Sequence, residues 1–600
     1  NPFWEQLVNG NNDNRDRVIG HVASGYQLTD WLSARAQISR DWYRENRKNW
    51  VHHFSLDDAG EGSFVQEANY RAETNAELLL HGTRSIARDL QLNMTAGGNL
   101  RRNHFQNDRV AVSRLAFPGI YTLDNAAATP NSTDFESLQE VRSLLGSASF
   151  NYRGYLNLDV TGRNDWSSTL PEDNNSYFYP SVSSAFVFSD AFGLTSDLLS
   201  SGKVRASWTR VGADAAPYQL ASVFLTQQGF GGVPMFEVPN TLANPDLRPE
   251  ETTAWEIGTD LGFLNERVGF VLTYYDSRTR DQILGVQISR ASGFSNQVLN
   301  AGEMRNYGTE LLLTANPLRT RGGFNWDVTL NWAKNNSQVR DLFGDLQTLV
   351  LGTYWSLDVE VRCGWKCRGD SGPAFEGEPD YYPQGTLFGN GYLRDDQGRL
   401  VLTDDGLPQA DPDRRVLGNY NPDWSGGIQN RFSFGPAELS VLIDGQKGGH
   451  IFSVTNWFGE YAGVLESSLL GREVDHCDPG IVVDGVFEDG SVNGDGVDDI
   501  TVCPISYFGQ NFGNNEASID DASYIKLREV RLGYTLPSRL MSRLGFAGGS
   551  IALIGRNLAL WSNIENIDPE TAFDASNVQG IEFGQHPTAR SIGFSLSIRP

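Results

Sequence analysis

Apolar residues recur at every second position through much of the chain, most clearly at 249–275. Trp255, Ile257, Leu261 and Phe263 alternate with Glu256, Gly258, Asp260 and Gly262. After an Asn265-Glu266 turn, Val268, Phe270, Leu272 and Tyr274 alternate with Arg267, Gly269, Thr273 and Tyr275. Period 2 on both sides of a tight turn predicts two antiparallel strands sharing one apolar face. Each arm is longer than the about 5–6 residues of an ordinary strand. It reaches the roughly 9–11 residues with which a tilted strand crosses a bilayer.

The same design runs along the chain, with short and long connections alternating. Strands are predicted at 18–28 and 31–40, 63–81 and 88–103, 138–152 and 154–167, 176–189 and 202–212, 251–264 and 267–283, and 303–316 and 324–334. A long irregular span at 339–416 separates these from 419–434 and 437–447, and another leads to 522–536, 549–561 and 588–599. In the last strand Ile592, Phe594, Leu596 and Ile598 share the apolar face. The stretch YIKLREVRLGYTLP (524–537) changes phase midway, and a β-bulge near Arg528-Glu529 restores a single apolar face. The expected architecture is all-β, an antiparallel transmembrane β-barrel with about 17 strands here. A complete bacterial barrel of this kind has an even number of strands, and large transporters have about 22. By this count about five strands precede Asn1.

Composition narrows the class. Lys and Arg total 48 against 74 Asp and Glu, a net charge of -26, which speaks against nucleic acid as a partner. The chain has 63 Gly and only 4 Met, as turn-rich β structure requires. It has no apolar run long enough for a membrane helix, which leaves barrel strands untouched because they hide half their residues from lipid. The opening NPFWEQLVNG lacks the basic-then-apolar layout of a signal peptide. The 4 Cys fall into two neighbourhoods, Cys363 with Cys367 and Cys477 with Cys503, and local disulfide pairing fits an oxidising compartment.

Seven stretches in chain order carry a family resemblance: RNDWSSTLP (163–171), YFYPSVSSAFVFSD (177–190), KVRASWTRVG (203–212), NPDLRPEETTAWEIGTDL (244–261), NAGEMRNYGTELLL (300–313), LGNYNPDWSGGIQNRFSFG (417–435) and DASYIKLREVRLGYTLP (521–537). Together they resemble TonB-dependent outer-membrane transporters of the SusC/RagA-like branch. The resemblance implies a 22-stranded barrel in the bacterial outer membrane, closed by an N-terminal plug and energised through TonB. It also implies a SusD-like surface lipoprotein acting as a lid, and import of oligosaccharides or peptides. Residues 1–600 then form the C-terminal part of the barrel, with the plug and first strands absent from this sequence. The chain ends on Pro600, whereas such barrels usually finish on an aromatic residue.

Three sets of loop residues are candidates for chemistry. Tyr381, Tyr382, Trp457, Phe458 and Tyr461 are substrate-binding candidates that could stack on sugar rings or peptide side chains; the aromatic girdle at the membrane interface is the favoured reading for any one of them taken singly. In EDGSVNGDGVDDITV (488–502), Asn493, Asp495, Asp498 and Asp499 offer hard oxygen ligands for calcium (Ca2+) around Gly494 and Gly496, although Ser491 and the missing terminal Glu break the EF-hand pattern. The alternative is an acidic solvated turn. No other cofactor is required. CRGDSGP (367–373) touches both an RGD tripeptide and a serine-protease context, but no base motif accompanies Ser371.

The expected role is passage rather than bond-making, so no enzyme activity is assigned. Loops at 213–248, 339–416 and 448–520 are the candidates for substrate and lid contact. Two rival readings are a non-transporting outer-membrane scaffold and a soluble all-β enzyme.

Overall fold

The computed structural model describes residues 4, 7–55, 60–194, 196–231, 233–344, 346–374, 377–571, 574 and 576–600. The chain divides into two compact units. One comprises residues 1–186, 206–254 and 279–301; the other comprises 187–205, 255–278 and 302–600. Among the described residues, a large antiparallel sheet of seventeen strands dominates both.

The first unit is a meander: Gly10–Thr29, Leu32–Val51, Ser63–Ala87, Leu90–Val112, Asn131–Tyr152, Leu156–Ser167 and Ser176–Val187. Each pairs with the next in antiparallel register. The second contains Phe324–Asp341, Trp424–Phe434, Ala437–Lys447, Tyr524–Thr535, Gly548–Ser562 and Ser591–Arg599, also paired in sequence. The remaining large-sheet strands are Leu199–Ala213, Glu250–Phe263, Val268–Gln287 and Asn296–Arg319. Every strand expected from the alternation is present except that at 419–434, which is interrupted. Several are longer than expected, because their ends are polar on both faces and the alternation fades there: Gly10–Thr29 begins GNNDNRDR.

The two faces invert the arrangement of a water-soluble protein. Apolar side chains stand exposed, Ile525 at 55%, while charged ones on the other face are buried, its neighbour Lys526 at 1% and Glu45 at 1%. Glu45 accepts from Arg15 and pairs with Arg47 at 2.8 Å. Asp276 pairs with Arg305, and Asp165 with Arg163 at 2.7 Å.

The phase change in Tyr524–Thr535 resolves as the sequence predicts. Leu442 faces Glu529 and Ile443 faces Leu527, so Arg528 is the extra residue, and the register with Gly548–Ser562 shifts at the same place. One expectation is corrected. The strand predicted at 419–434 is two: Arg415–Asn419 joins a separate small sheet, and Trp424–Phe434 joins the large one. Pro422 has no N–H to donate to a ladder, and the side chains of Asn419 and Asn421 instead reach the Gln384 carbonyl at 2.8 and 2.6 Å.

Candidate functional site

The long connections of the second unit fold into structure of their own. Thr348–Tyr354, Leu357–Arg362, Thr386–Gly389 and Arg415–Asn419 form a four-stranded antiparallel sheet. The first two make a hairpin whose two loop residues, Trp355 and Ser356, have φ of 50° and 65°. Two positive φ values suit the twist of a two-residue hairpin. They leave the Trp355 ring standing exposed at the tip.

A second small sheet pairs His450–Ser453 with Ile519–Asp521 and Ile581–Glu582, and leads directly into the helix Val454–Tyr461. Ser453 caps that helix: its Oγ accepts from the Asn456 amide at 3.0 Å and donates to buried Glu582 at 2.9 Å. The Glu582 carboxylate also accepts from the Thr455 amide and hydroxyl at 3.1 and 2.7 Å. A carboxylate there suits the partial positive charge of a helix start.

The capped helix presents an aromatic cluster. Trp457 stacks on Phe512 at 4.3 Å between ring centroids, and Tyr461 leans on Phe512 at 4.3 Å. Trp355 meets Trp457 and Phe458 edge-on, each at 5.4 Å. Trp457, 6% exposed, is the floor and packs on Leu357, Val359, Leu387 and Phe452. Trp355, Phe458 and Tyr461 are exposed above it, Tyr461 at 53%.

Three of the five expected aromatic residues, Trp457, Phe458 and Tyr461, therefore come together, outside the large sheet. The other two lie apart. Tyr382 is buried and its carbonyl accepts from the Val339 amide at 2.9 Å, while Tyr381 lies under the Arg340 guanidinium at 4.1 Å. Buried Tyr382 and Trp457 support the surface rather than offer a face to a ligand. Trp355 was missing from the expectation. Its signal was a Trp-Ser pair between two short alternating runs, TLVLGTY and LDVEVR.

Carboxyls near the cluster are tuned in opposite directions. Burial, reinforced by Asp520, raises the Glu460 carboxyl despite the Ser467 hydroxyl that donates to it at 2.9 Å. Burial also raises Glu516, but hydrogen bonds from Arg394, the Tyr392 amide and Arg415 outweigh it and hold that carboxyl below its usual range. Arg394 and the Tyr392 amide both reach Glu516 at 2.9 Å, which ties 390–415 to 514–516.

The remaining candidates are occupied locally. Cys363 is joined to Cys367 and Cys477 to Cys503, with Cα separations of 5.1 and 4.8 Å. In the acidic turn, Asp499 accepts from the Gly494 and Gly496 amides at 2.7 and 3.0 Å, and Asp495 from the Val497 amide at 2.9 Å. Asn493 is buried, bonded to Ile500 and Val483. Asp498 is exposed with φ of 54°. The oxygens thus close the turn on itself, and among the described residues no group of three or more His, Cys, Asp or Glu converges as a metal site. Arg368 of the RGD tripeptide is drawn inward to Glu378 and Asp370.

The family model described as TonB dependent receptor-like, beta-barrel matches residues 2–432. TonB-dependent receptor P26 of Formosa agariphila is 26% identical over 628 residues, covering 100% of this chain and 60% of that protein. TonB-dependent receptor SusC of Bacteroides thetaiotaomicron is 20% identical over 635 residues, covering 100% of this chain and 59% of its own length. Among solved structures, the RagAB peptide transporter superposes with a TM-score of 0.77 at 16% identity, covering 100% of this chain and 63% of that one. The chain spans about three fifths of the length of the relatives it matches.

Proposed function

The chain belongs to the TonB dependent receptor-like β-barrel family, and from that premise we propose that it forms the wall and outer loops of a TonB-dependent outer-membrane importer for oligosaccharides or peptides. The family is one of receptors and transporters, not of enzymes. The observation that carries the proposal is the inverted sheet, apolar where it meets lipid and ion-paired where it meets the lumen. Loops emerge from one end of that wall and carry the exposed rings of Trp355, Phe458 and Tyr461, whose flat faces suit a sugar ring or an aromatic or cationic peptide side chain.

A lid lipoprotein of the SusD type is part of the same proposal. Val464, Leu470, Val474 and Ile505 project apolar side chains from the 448–520 connection, as a surface covered by a partner does. Energy from TonB enters through a plug carried elsewhere in the full-length protein.

Uptake by cells bearing the full-length gene tests this. Labelled oligosaccharides and peptides are offered in parallel, with and without TonB. Accumulation of one class that stops on TonB deletion is expected. Uptake indifferent to TonB would make the barrel a passive pore, and no uptake of either class leaves a non-transporting scaffold as the better reading.

A further inference from the structure

One row across the apolar face reads Trp332, Gly426, Gly445, Ile525, Trp561, each directly opposite the next on five adjacent strands. The glycines leave a bare floor two strands wide, roughly 10 Å at about 4.8 Å per strand, between Trp332 on one side and Ile525 with Trp561 on the other. Close backbone approach keeps it bare. A Cβ at Gly426 would meet the Asn331 carbonyl oxygen at 2.7 Å, and one at Gly445 the Tyr524 carbonyl oxygen at 2.3 Å.

The next row towards the short turns is filled by Leu330, Ile428, Ile443 and Leu527. The next row towards the long loops holds Trp424 opposite Lys447, and Lys334 stands two residues beyond Trp332 on the same face. Both lysines are exposed, and the chain has only six. Lys447 is paired with Asp521 at 3.1 Å, with half of its own side chain still open to solvent.

We propose that this trough seats an acyl chain of lipid A, with Lys334 and Lys447 meeting its phosphates. The inference rests on the wall spanning the outer membrane. In that setting the trough faces hydrocarbon, at the end of the strands where the long loops emerge. Lysines at that depth lay their stems on apolar surface and hold their charge at the headgroup level. A second copy of the chain is a poorer occupant, since a two-fold contact would set the same lysines against each other.

Native mass spectrometry of the full-length protein, extracted from the outer membrane in mild detergent, counts the lipid retained. Localisation to that membrane is scored first, so failure of the importer reading is distinguished from failure of this one. About one lipid A per chain is expected, with retention falling roughly tenfold or more in K334E/K447E. Leu439→Ala, on the same face but towards the short turns, should leave retention unchanged. Loss of all lipid A from the unaltered protein, equal retention of phospholipid, or full retention by the double variant overturns the assignment. Should the double variant fail to fold, cryo-electron microscopy of the unaltered protein in lipid A nanodiscs decides. Acyl density between Trp332 and Ile525 supports the proposal, and an empty trough or a protein copy there overturns it.

Discussion

Lys526 Nζ lies 2.7 Å from Asp568 Oδ1, with both side chains only 2% exposed. The pair fastens the 563–590 connection to the polar face of Tyr524–Thr535, and Glu570 joins it by accepting from Lys526, Arg528 and the Tyr524 hydroxyl. Removing one partner leaves an uncompensated buried charge, at a cost of about 3–5 kcal/mol. Lys526→Met should therefore release the connection, read as lost hydrogen-exchange protection at 563–590, while the ladder of the wall strand itself stays protected.

Acid should release the same connection. Burial raises the Glu570 carboxyl, but its hydrogen bonds from Arg528, Lys526 and Tyr524 outweigh this and hold it down to about 2. An unfolded Glu titrates near about 4.3, so the stabilisation is complete above that value and is lost as pH falls towards the folded value. Exchange at 563–590 should accelerate between about pH 4 and 2, and Glu570→Gln should already be loosened at neutral pH.

The helix Val454–Tyr461 should respond with the opposite sign. Glu460 is raised by burial and by Asp520, so the folded state holds its proton more tightly than the unfolded state does. That contribution is present at low pH and is lost as pH rises above about 4.3. Glu460→Gln should flatten the pH dependence of protection across 454–461. An unchanged slope would place its origin elsewhere.

Within the aromatic cluster, floor and surface should separate. Tyr461→Ala or Phe458→Ala is expected to weaken cargo binding about tenfold, near 1.4 kcal/mol, with the loops still folded. Trp457→Ala removes a buried ring and should cost about 3–5 kcal/mol of loop stability. Isothermal titration with the imported cargo, alongside loop-specific exchange, tells the two apart; equal loss of binding and of protection in all three would refute the distinction.

Deleting Arg528 removes the extra residue that keeps Ile525 and Leu532 on one face. One half of the strand would then turn its apolar side chains to the polar face. Loss of heat-modifiable mobility on gels, the signature of a folded barrel, is the expected result. Arg528→Ala, which keeps the count, should fold.

The large sheet was legible because a strand with one apolar and one polar face writes its orientation into every second residue. Trp255 and Ile257 on one side of Glu256 suffice to set a face, and the broken phase at Arg528 marks its own bulge. The loops carry no such code. Trp355 is placed by a hairpin whose partner residues, Leu357 and Val359, read as an isolated apolar pair, and its ring neighbours Trp457 and Phe458 lie far along the chain. Lys526 reads from sequence as one more lumen cation. Its burial is decided by Asp568, on a connection that arrives after another strand has been laid down. Glu582 likewise caps a helix that begins well over a hundred residues before it.

Pairing that runs residue against residue along the wall gives its strands a parity that its connections lack. One amino acid gained in mid-strand everts everything beyond it unless a second follows. A connection lengthened by any number costs little more than the entropy of a wider loop. Descent with modification in such a molecule is accordingly quantised in the strands and continuous in the connections, so new surfaces can be acquired in the loops while the ladder beneath is inherited nearly intact.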